Sequence, residues 1–575
     1  MRLHSLLKDH RTGAWSLPHR ISKPGFMNEL AEPKTSPASV SQTHRRVISR
    51  PPSWWILFVV LLIGLFLRIK VAQVSGGLWP DELFSLAIAT GHSLEHPAAV
   101  ANPSLGDFVE PDHPVPAEEF RRYLQQDNPP ASPARVVRAV LLSDTNPPLF
   151  YLMLYGWTRL FGTSDLVLRL FSTACWLGCV PLIVGIARRT GGKPAVIPSC
   201  LLFAFSPLAI YYSTEGRMYS LLWLCVLATT WASLLLQRGK EGVGIYGFWI
   251  VASAAGFLTH YFFIFPWLGI VAFLLIKPGK LGRVQLLGCL LVTAALIAPW
   301  YVWVPESLTS WRVTRDWLKW RPPNFNYVTA TRDIVFQFFS GHERHLWASE
   351  RRWNLLALIL FAGVAVLALW KMRRRALARG RLLIGILFVT ACIGPLVFDI
   401  WQHTYTISVP RYAIAALPAA YLLAGTMLAS LGRCVRITAL CLIVITWTPN
   451  LLSLYRNRLP WMPVREIAHY ASANDSRSDL ILVHSIPSGV LGIARYADGP
   501  APLASWVGQL GNRRSPESLQ QLAAGRTRIW FLKLHEVGEP APEEAWLRAN
   551  AVAFEEKQFE MAKAIDFRPR NAETF

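Results

Sequence analysis

Apolar stretches about twenty residues long recur along this chain, and they exclude most folds at once. A run of that length matches what an α-helix needs to cross the hydrocarbon of a bilayer. On that criterion spans are predicted over residues 54–74, 166–187, 194–212, 218–237, 244–259, 261–276, 284–304, 354–370, 381–401, 408–431 and 435–454. That makes about eleven. Only 16% of residues are charged against 52% hydrophobic, and mean hydropathy is +0.30, which lies outside the soluble globular range. The expected fold class is a polytopic α-helical membrane protein.

Segment 149–161 is apolar too, but at 1.5 Å per residue it covers only about 20 Å and it carries Arg159. It is read as an interfacial helix. Loop charge tests that choice, because Lys and Arg collect on the cytoplasmic side. With 149–161 not crossing, the basic turns 188–193, 238–240, 277–283, 371–381 and 433–436 all fall inside. The acidic loop carrying Asp107, Glu110, Asp112, Glu118 and Glu119 falls outside. The N-terminus is therefore expected inside and the C-terminus outside.

The formal net charge of +22 raises nucleic acid as a partner. The cations, however, sit in an N-terminal tail and in short inter-span loops rather than on one exposed stripe, so they orient the protein instead. Residues 1–52 are rich in Arg, Ser, Pro and His and lack an apolar core for a signal sequence; they read as a disordered cytoplasmic tail, with an organellar transit peptide the competing reading. The expected organisation is that tail, a membrane domain over 53–455 with outer loops at 75–165 and 305–353, and an outer C-terminal domain over 456–575. All eight cysteines lie in spans or at their inner ends, so no disulfide framework supports the outer parts. From Trp461 the chain alternates helical stretches, 464–473 and 516–524, with short apolar strands, 480–484 and 528–532. That pattern predicts a small α/β domain that caps the outer face.

Polar residues interrupt the spans at one set of ends. Asp81 and Glu82 follow the first span; Ser213, Glu215, Arg217 and Tyr219 join the third and fourth; His260 and Tyr261 separate two more; Asp399, His403, Arg411 and Tyr412 bracket another pair. Ionisable groups beside a bilayer are costly unless used or paired. A transporter would gather them near the midplane, whereas here they converge on the face of Asp81, the layout of an outward-facing enzyme.

At these residues the chain resembles the GT-C superfamily of integral membrane glycosyltransferases, in the branch holding protein O-mannosyltransferases and the bacterial lipid A aminoarabinose transferase. The resemblance spans residues 54–430. It rests on WPDELFSLA (79–87), NPPLFYLMLYGWTRLFG with LVLRLFS (146–172), SPLAIYYSTEGRMYSLL (206–222), THYF (259–262) and PRYAIAALP (410–418). It implies transfer of a sugar, hexosyl or pentosyl, from a polyprenyl-phosphate donor to a hydroxyl of a lipid, glycan or protein on the outer face of a bacterial inner membrane.

A lipid phosphate is already a competent leaving group, so only the incoming hydroxyl needs a base. By resemblance Asp81 is that base, with inversion at the anomeric carbon, and Glu82 orients the acceptor or a bound cation. The competing reading pairs either carboxylate with Arg68 or Lys70. Arg217 and Arg411 are expected to clamp the phosphate through their planar forks, or else to snorkel to the headgroups. Tyr219, Tyr261 and Tyr412 are candidates for the sugar, His260 for the acceptor, and Glu215 for positioning Arg217. Asn146 stands where the aminoarabinose transferase type has a basic residue before two prolines, which leaves one phosphate contact without charge. Mg²⁺ or Mn²⁺ at Asp81 and Glu82 is an open option, and no cofactor is committed to. A transporter or flippase of lipid-linked sugars would share such a basic cavity without needing Asp81 as a base. A non-catalytic assembly factor would tolerate changes at all of these residues.

Overall fold

The computed structural model describes residues 54–575 apart from 75, 97–100, 145, 240–241, 310–316, 342–350, 373–378, 457–462, 535–540, 560 and 571–572. The expected N-terminal tail lies outside the described residues.

Helix α1 (Trp54–Val74) leads into a segment of shorter helices, α2 (Pro80–Ala89), α3 (Ala117–Arg121), α4 (Pro133–Ser143) and α5 (Leu149–Phe161). Its starts are locally encoded. Pro80 opens α2, Pro133 opens α4, and the Ser132 hydroxyl accepts from the Arg135 N–H, the preferred chemistry of a first turn. The apolar body follows: α6 (Asp165–Thr190), α7 (Lys193–Phe205), α8 (Pro207–Ser213), α9 (Tyr219–Gln237), α10 (Val243–Phe257), α11 (Ile264–Ile276), α12 (Arg283–Thr309), α13 (Tyr327–Ser340), α14 (Arg351–Met372), α15 (Arg379–Gln402), α16 (Leu417–Ser430) and α17 (Arg433–Arg456).

Each predicted span coincides with helix, but the count of eleven is not carried by helix length. Among the described residues seven helices are long and apolar enough to cross, and α7 with α8, bent by 62°, would make an eighth. Pro207 accounts for that bend, since it removes an N–H and crowds the preceding turn. Three apolar helices are shorter. The predicted span 408–431 shrinks to α16 because residues 406–416 form consecutive 3₁₀ turns led by Pro410, and these carry Arg411 and Tyr412. As expected, 149–161 is a separate short helix.

Two buried arginines lock the body together. Arg68 in α1 is wholly buried; it donates to Ser213 Oγ (2.7 Å), Gly64 O (2.9 Å) and Ala204 O (2.8 Å) and stacks 3.6 Å above the Trp176 ring. Gly64 allows that approach, because a Cβ there would lie 3.1 Å from Ala204 Cβ. Arg68 is thus satisfied within the spans and partners neither Asp81 nor Glu82. The other is Arg169 in α6, which forms a wholly buried, two-pronged ion pair with Glu82, Nε to Oε1 at 3.0 Å and Nη2 to Oε2 at 2.9 Å. Arg169 also donates to the carbonyls of Gly76 and Gly77, and Glu82 accepts from Gly216 N at 2.9 Å. This pair joins the end of α1, α2, α6 and the α8–α9 turn.

The C-terminal residues form the predicted α/β domain: α18 (Val464–Ser472), β1 (Asp479–His484), α19 (Pro487–Tyr496), β2 (Leu503–Trp506), α20 (Glu517–Ala523), β3 (Arg528–Lys533), α21 (Pro542–Asn550), β4 (Ala551–Phe559) and β5 (Ala562–Pro569). The sheet runs β2-β1-β3-β5-β4, with β1 parallel to β2 and β3 and the last two strands antiparallel. Alternate residues face two layers, as strand geometry requires. Ile481, Val483 and Leu532 join the main core, while Leu480, Leu482 and Phe531 pack with Leu519 and Leu547.

This domain is docked through polar contacts. Asp165 at the start of α6 receives Arg465 (2.7 Å), Arg495 (2.8 Å) and Tyr496 Oη (2.7 Å). Val115 and Leu503 exchange backbone hydrogen bonds at 2.8 and 2.9 Å, which covers the β2 edge. Glu110 Oε1 accepts from Val507 N at 2.8 Å, close to Arg513.

Removing one partner of a buried pair leaves an uncompensated charge, so Arg169→Met is expected to cost about 3–5 kcal/mol. The double variant Glu82→Leu/Arg169→Met is expected to cost less than Arg169→Met alone, read as thermal unfolding midpoints in detergent. A second outcome concerns pH. Burial pushes the Glu110 carboxyl up to about 7, against the pull of Arg513 and the Val507 N–H. The folded protein then keeps this proton to higher pH than the unfolded chain, so stability falls as pH rises from 4.5 to about 7. Glu110→Gln is expected to remove that part of the decline, measured as Tm across the window.

Candidate active site

Asp81 and Glu82 lie in the first turn of α2, where the helix dipole favours negative charge. Consecutive helical residues project about 100° apart, so the two carboxylates are sent to different surroundings. Glu82 goes inward to Arg169. The role expected of it, orienting an acceptor or a cation, is not what its position serves: both oxygens are consumed in a side chain with no exposure. Asp81 goes outward, its side chain 29% exposed.

Asp81 Oδ2 accepts from Arg411 Nη1 at 2.9 Å. Among the described residues its Oδ1 accepts no hydrogen bond and stays available to a donor from outside. Arg411 comes from the Pro410–Tyr412 turn, with its guanidinium 5.8 Å from the Trp79 ring and 5.5 Å from that of Tyr412. Asp399 fixes the preceding turn. It is wholly buried and accepts from the Thr404 hydroxyl (2.6 Å) and from the backbone N–H groups of Thr406 (2.9 Å) and Ile407 (2.7 Å).

Arg217 approaches from the α8–α9 turn. Its Nη1 reaches the Asp81 carbonyl (3.3 Å), Ser85 Oγ (3.1 Å), Asp144 Oδ2 (3.3 Å) and Tyr151 Oη (3.3 Å). Its Nε is buried with no hydrogen-bond partner among the described residues. Glu215 is buried beside it, and its backbone carbonyl accepts from Arg217 N at 2.7 Å.

Asp144 and Tyr151 belong to this site and escaped the sequence reading. The Tyr151 hydroxyl donates to Asp144 Oδ2, and Asn146 donates to Oδ1 from its backbone N–H (2.9 Å) and from Nδ2 (2.7 Å). Burial would raise the Asp144 carboxyl, but the Arg217 guanidinium and the Tyr151 and Asn146 donors outweigh it and hold Asp144 below its ordinary value. The signal available was the position of Asp144 two residues before Asn146, ahead of the paired prolines.

Tyr219, Tyr412 and His260 lie within electrostatic reach of Arg217 and Arg411. The His260 Nδ1 accepts from Phe262 N at 3.1 Å, which holds the ring in place. Tyr261 instead sits with Trp300, whose indole N–H reaches its hydroxyl at 3.3 Å, and with Tyr301. The two adjacent carboxylates do not form the cation site left open by the sequence, since Glu82 is turned away. No group of three or more His, Cys, Asp or Glu among the described residues is placed to hold a metal ion.

The site therefore holds one half-open carboxylate and two arginines, with a second, fully occupied carboxylate behind them. Such a cluster suits an anionic ligand and the removal of one proton.

Residues 145–303 match the family model of dolichyl-phosphate-mannose-protein mannosyltransferases. No curated protein matches the sequence. Among solved structures the fold is similar to ArnT from Cupriavidus metallidurans bound to undecaprenyl phosphate. That likeness has a TM-score of 0.55 and 13% identity, covering 90% of this chain and 98% of that one. It is also similar to the apo state of ArnT from the same organism, with a TM-score of 0.55 and 14% identity over 89% and 97% of the two chains. The family model and the fold bear out the resemblance to the GT-C superfamily of membrane glycosyltransferases.

The stability that comes from the depressed Asp144 value is fully present above the ordinary carboxyl value of about 4 and is lost as pH falls from there through the folded value. Asp144→Asn is expected to lower Tm at neutral pH, and the gap to wild type to close as pH falls through the depressed folded value.

Proposed function

We propose that this protein transfers a sugar from a polyprenyl-phosphate donor to a hydroxyl acceptor at the outer face of a bacterial inner membrane, with the N-terminus cytoplasmic. The observation that carries this reading is the environment of Asp81. It is the carboxylate of the site with an open oxygen, and it stands between Arg411 on its other oxygen and Arg217 on its backbone. The undecaprenyl phosphate bound by ArnT, which shares the fold, supports a polyprenyl phosphate as the ligand here.

In this mechanism the donor phosphate lies against Arg217 and Arg411, and the acceptor hydroxyl points at Asp81 Oδ1. As the acceptor oxygen bonds to the anomeric carbon, its proton passes to Asp81. The bond from that carbon to the phosphate oxygen breaks, and polyprenyl phosphate leaves with the electron pair. The arginines stabilise the charge that collects on the leaving phosphate. Attack opposite the leaving group inverts the anomeric configuration. Asp144 keeps Arg217 aimed, and Asp399 supports Arg411 by fixing the turn that precedes it.

The test is transfer of radiolabelled sugar from a panel of polyprenyl-phosphate donors to envelope lipids and proteins, using variants matched for folded protein. Asp81→Asn is expected to lower turnover by roughly 10²- to 10⁴-fold with donor binding retained. Arg217→Lys and Arg411→Lys are expected to weaken donor binding as well, because an ammonium cannot make the paired contact. Undiminished transfer by Asp81→Asn would move the base elsewhere. Wild-type movement of lipid-linked sugar across vesicles without transfer would favour a transporter.

A further inference from the structure

At the far end of the membrane body lies a second basic cavity that the transfer reaction does not use. Its volume is roughly 840 Å³, and it is bounded by the last turn of α6, the end of α9, the α11–α12 turn and the start of α15. Arg169, which holds Glu82, and Arg189, which lines this cavity, sit near opposite ends of α6, about 30 Å apart at 1.5 Å per residue. The two sites therefore address opposite surfaces of the membrane.

Arg189, Arg238, Lys277 and Lys280 line the cavity, and none of its described lining residues is acidic. Like charges brought together without a counter-ion repel one another, so the arrangement calls for an anion. The Arg189 guanidinium stacks 3.7 Å from the Trp231 ring centroid, and its buried Nε has no hydrogen-bond partner among the described residues. Cations that serve only to orient a membrane protein sit dispersed in water-facing loops, whereas this one is packed in place with a donor unspent.

The wall is built rather than loose. Gln237 Nε2 donates to Lys277 O at 3.1 Å, and Lys280 N donates to Gln237 O at 3.3 Å, tying α9 to the α11–α12 turn. Gly279 has a φ of +66°, and a Cβ there would fall 2.1 Å from Gln237 O, so the turn closes only with glycine. Below the cations the lining turns apolar at Leu234 and Ile276, and Ile276 is 63% exposed.

A cationic pocket above an exposed apolar helix side matches a glycerophospholipid, phosphate uppermost and acyl chain below. We propose that this cavity binds the phosphate headgroup of an anionic phospholipid from the leaflet opposite the candidate active site. The proposal rests on the chain spanning a membrane and not on its transfer activity.

The experiment counts lipids retained by the full-length protein, using native mass spectrometry after exchange into phosphatidylglycerol or phosphatidylcholine. Wild type is expected to retain phosphatidylglycerol in preference. Arg189→Gln/Lys280→Gln is expected to lose about tenfold in that retention, and so is Arg238→Gln/Lys280→Gln, which touches only exposed side chains. Arg433→Gln/Arg436→Gln, basic residues at the start of α17 on the same surface, is expected to retain it fully, as is Asp81→Asn, which separates this site from the catalytic reading. Equal retention by the cavity variants and wild type would overturn the proposal. Displacement of the lipid by millimolar inorganic phosphate would overturn the choice of a lipid in favour of a soluble anion.

Discussion

The buried ion pair between Glu82 and Arg169 is the constraint on which the rest of this structure depends. Two charges without any solvent exposure are tolerable only when every donor and acceptor is met. Here the pair spends its remaining capacity on the Gly76 and Gly77 carbonyls and the Gly216 N–H. Those three glycines mark the end of α1 and the turn that presents Arg217. The pair therefore sets the register between α2, which carries Asp81, and the turn, which carries the first arginine.

From that anchor the site is assembled by division of labour among acidic residues. Glu82 fixes α2, Asp144 fixes Arg217, Asp399 fixes the turn before the one bearing Arg411, and Asp165 fixes the C-terminal domain over the α6 start. Each is buried or nearly so, and each is spent on partners within the protein. Asp81 alone among these carboxylates keeps an oxygen without a partner among the described residues. In the proposed mechanism the base is the carboxylate left unfinished.

Much of this was legible in the residue pattern. Span positions follow from apolar length, and the strands at Asp479–His484 and Arg528–Lys533 stand where short apolar runs predicted them. The hairpin β4–β5 was not foreseen, because Ala551–Phe559 holds a contiguous charged run at Glu555, Glu556 and Lys557 and is mostly exposed. Asp81, Arg217 and Arg411 were visible because each interrupts an apolar stretch at the same face. Arg169 was visible too, inside LVLRLFS, but its partner lies 87 residues away, and no local period links them. For the same reason Asp144 went unread as the counter-ion of Arg217, and Glu82 was taken for a ligand because adjacency in sequence hides divergence on a helix.

The central claim, that Arg217 and Arg411 receive a phosphate beside an unfinished Asp81 while Glu82 stays structural, is tested most directly by a cryo-EM structure of the protein with polyprenyl phosphate bound. The account predicts phosphate oxygens within hydrogen-bond distance of both guanidinium groups, Asp81 Oδ1 facing the open cleft, and the Glu82–Arg169 pair unchanged. A phosphate seated away from both arginines, or Glu82 released from Arg169 to meet the ligand, would contradict it.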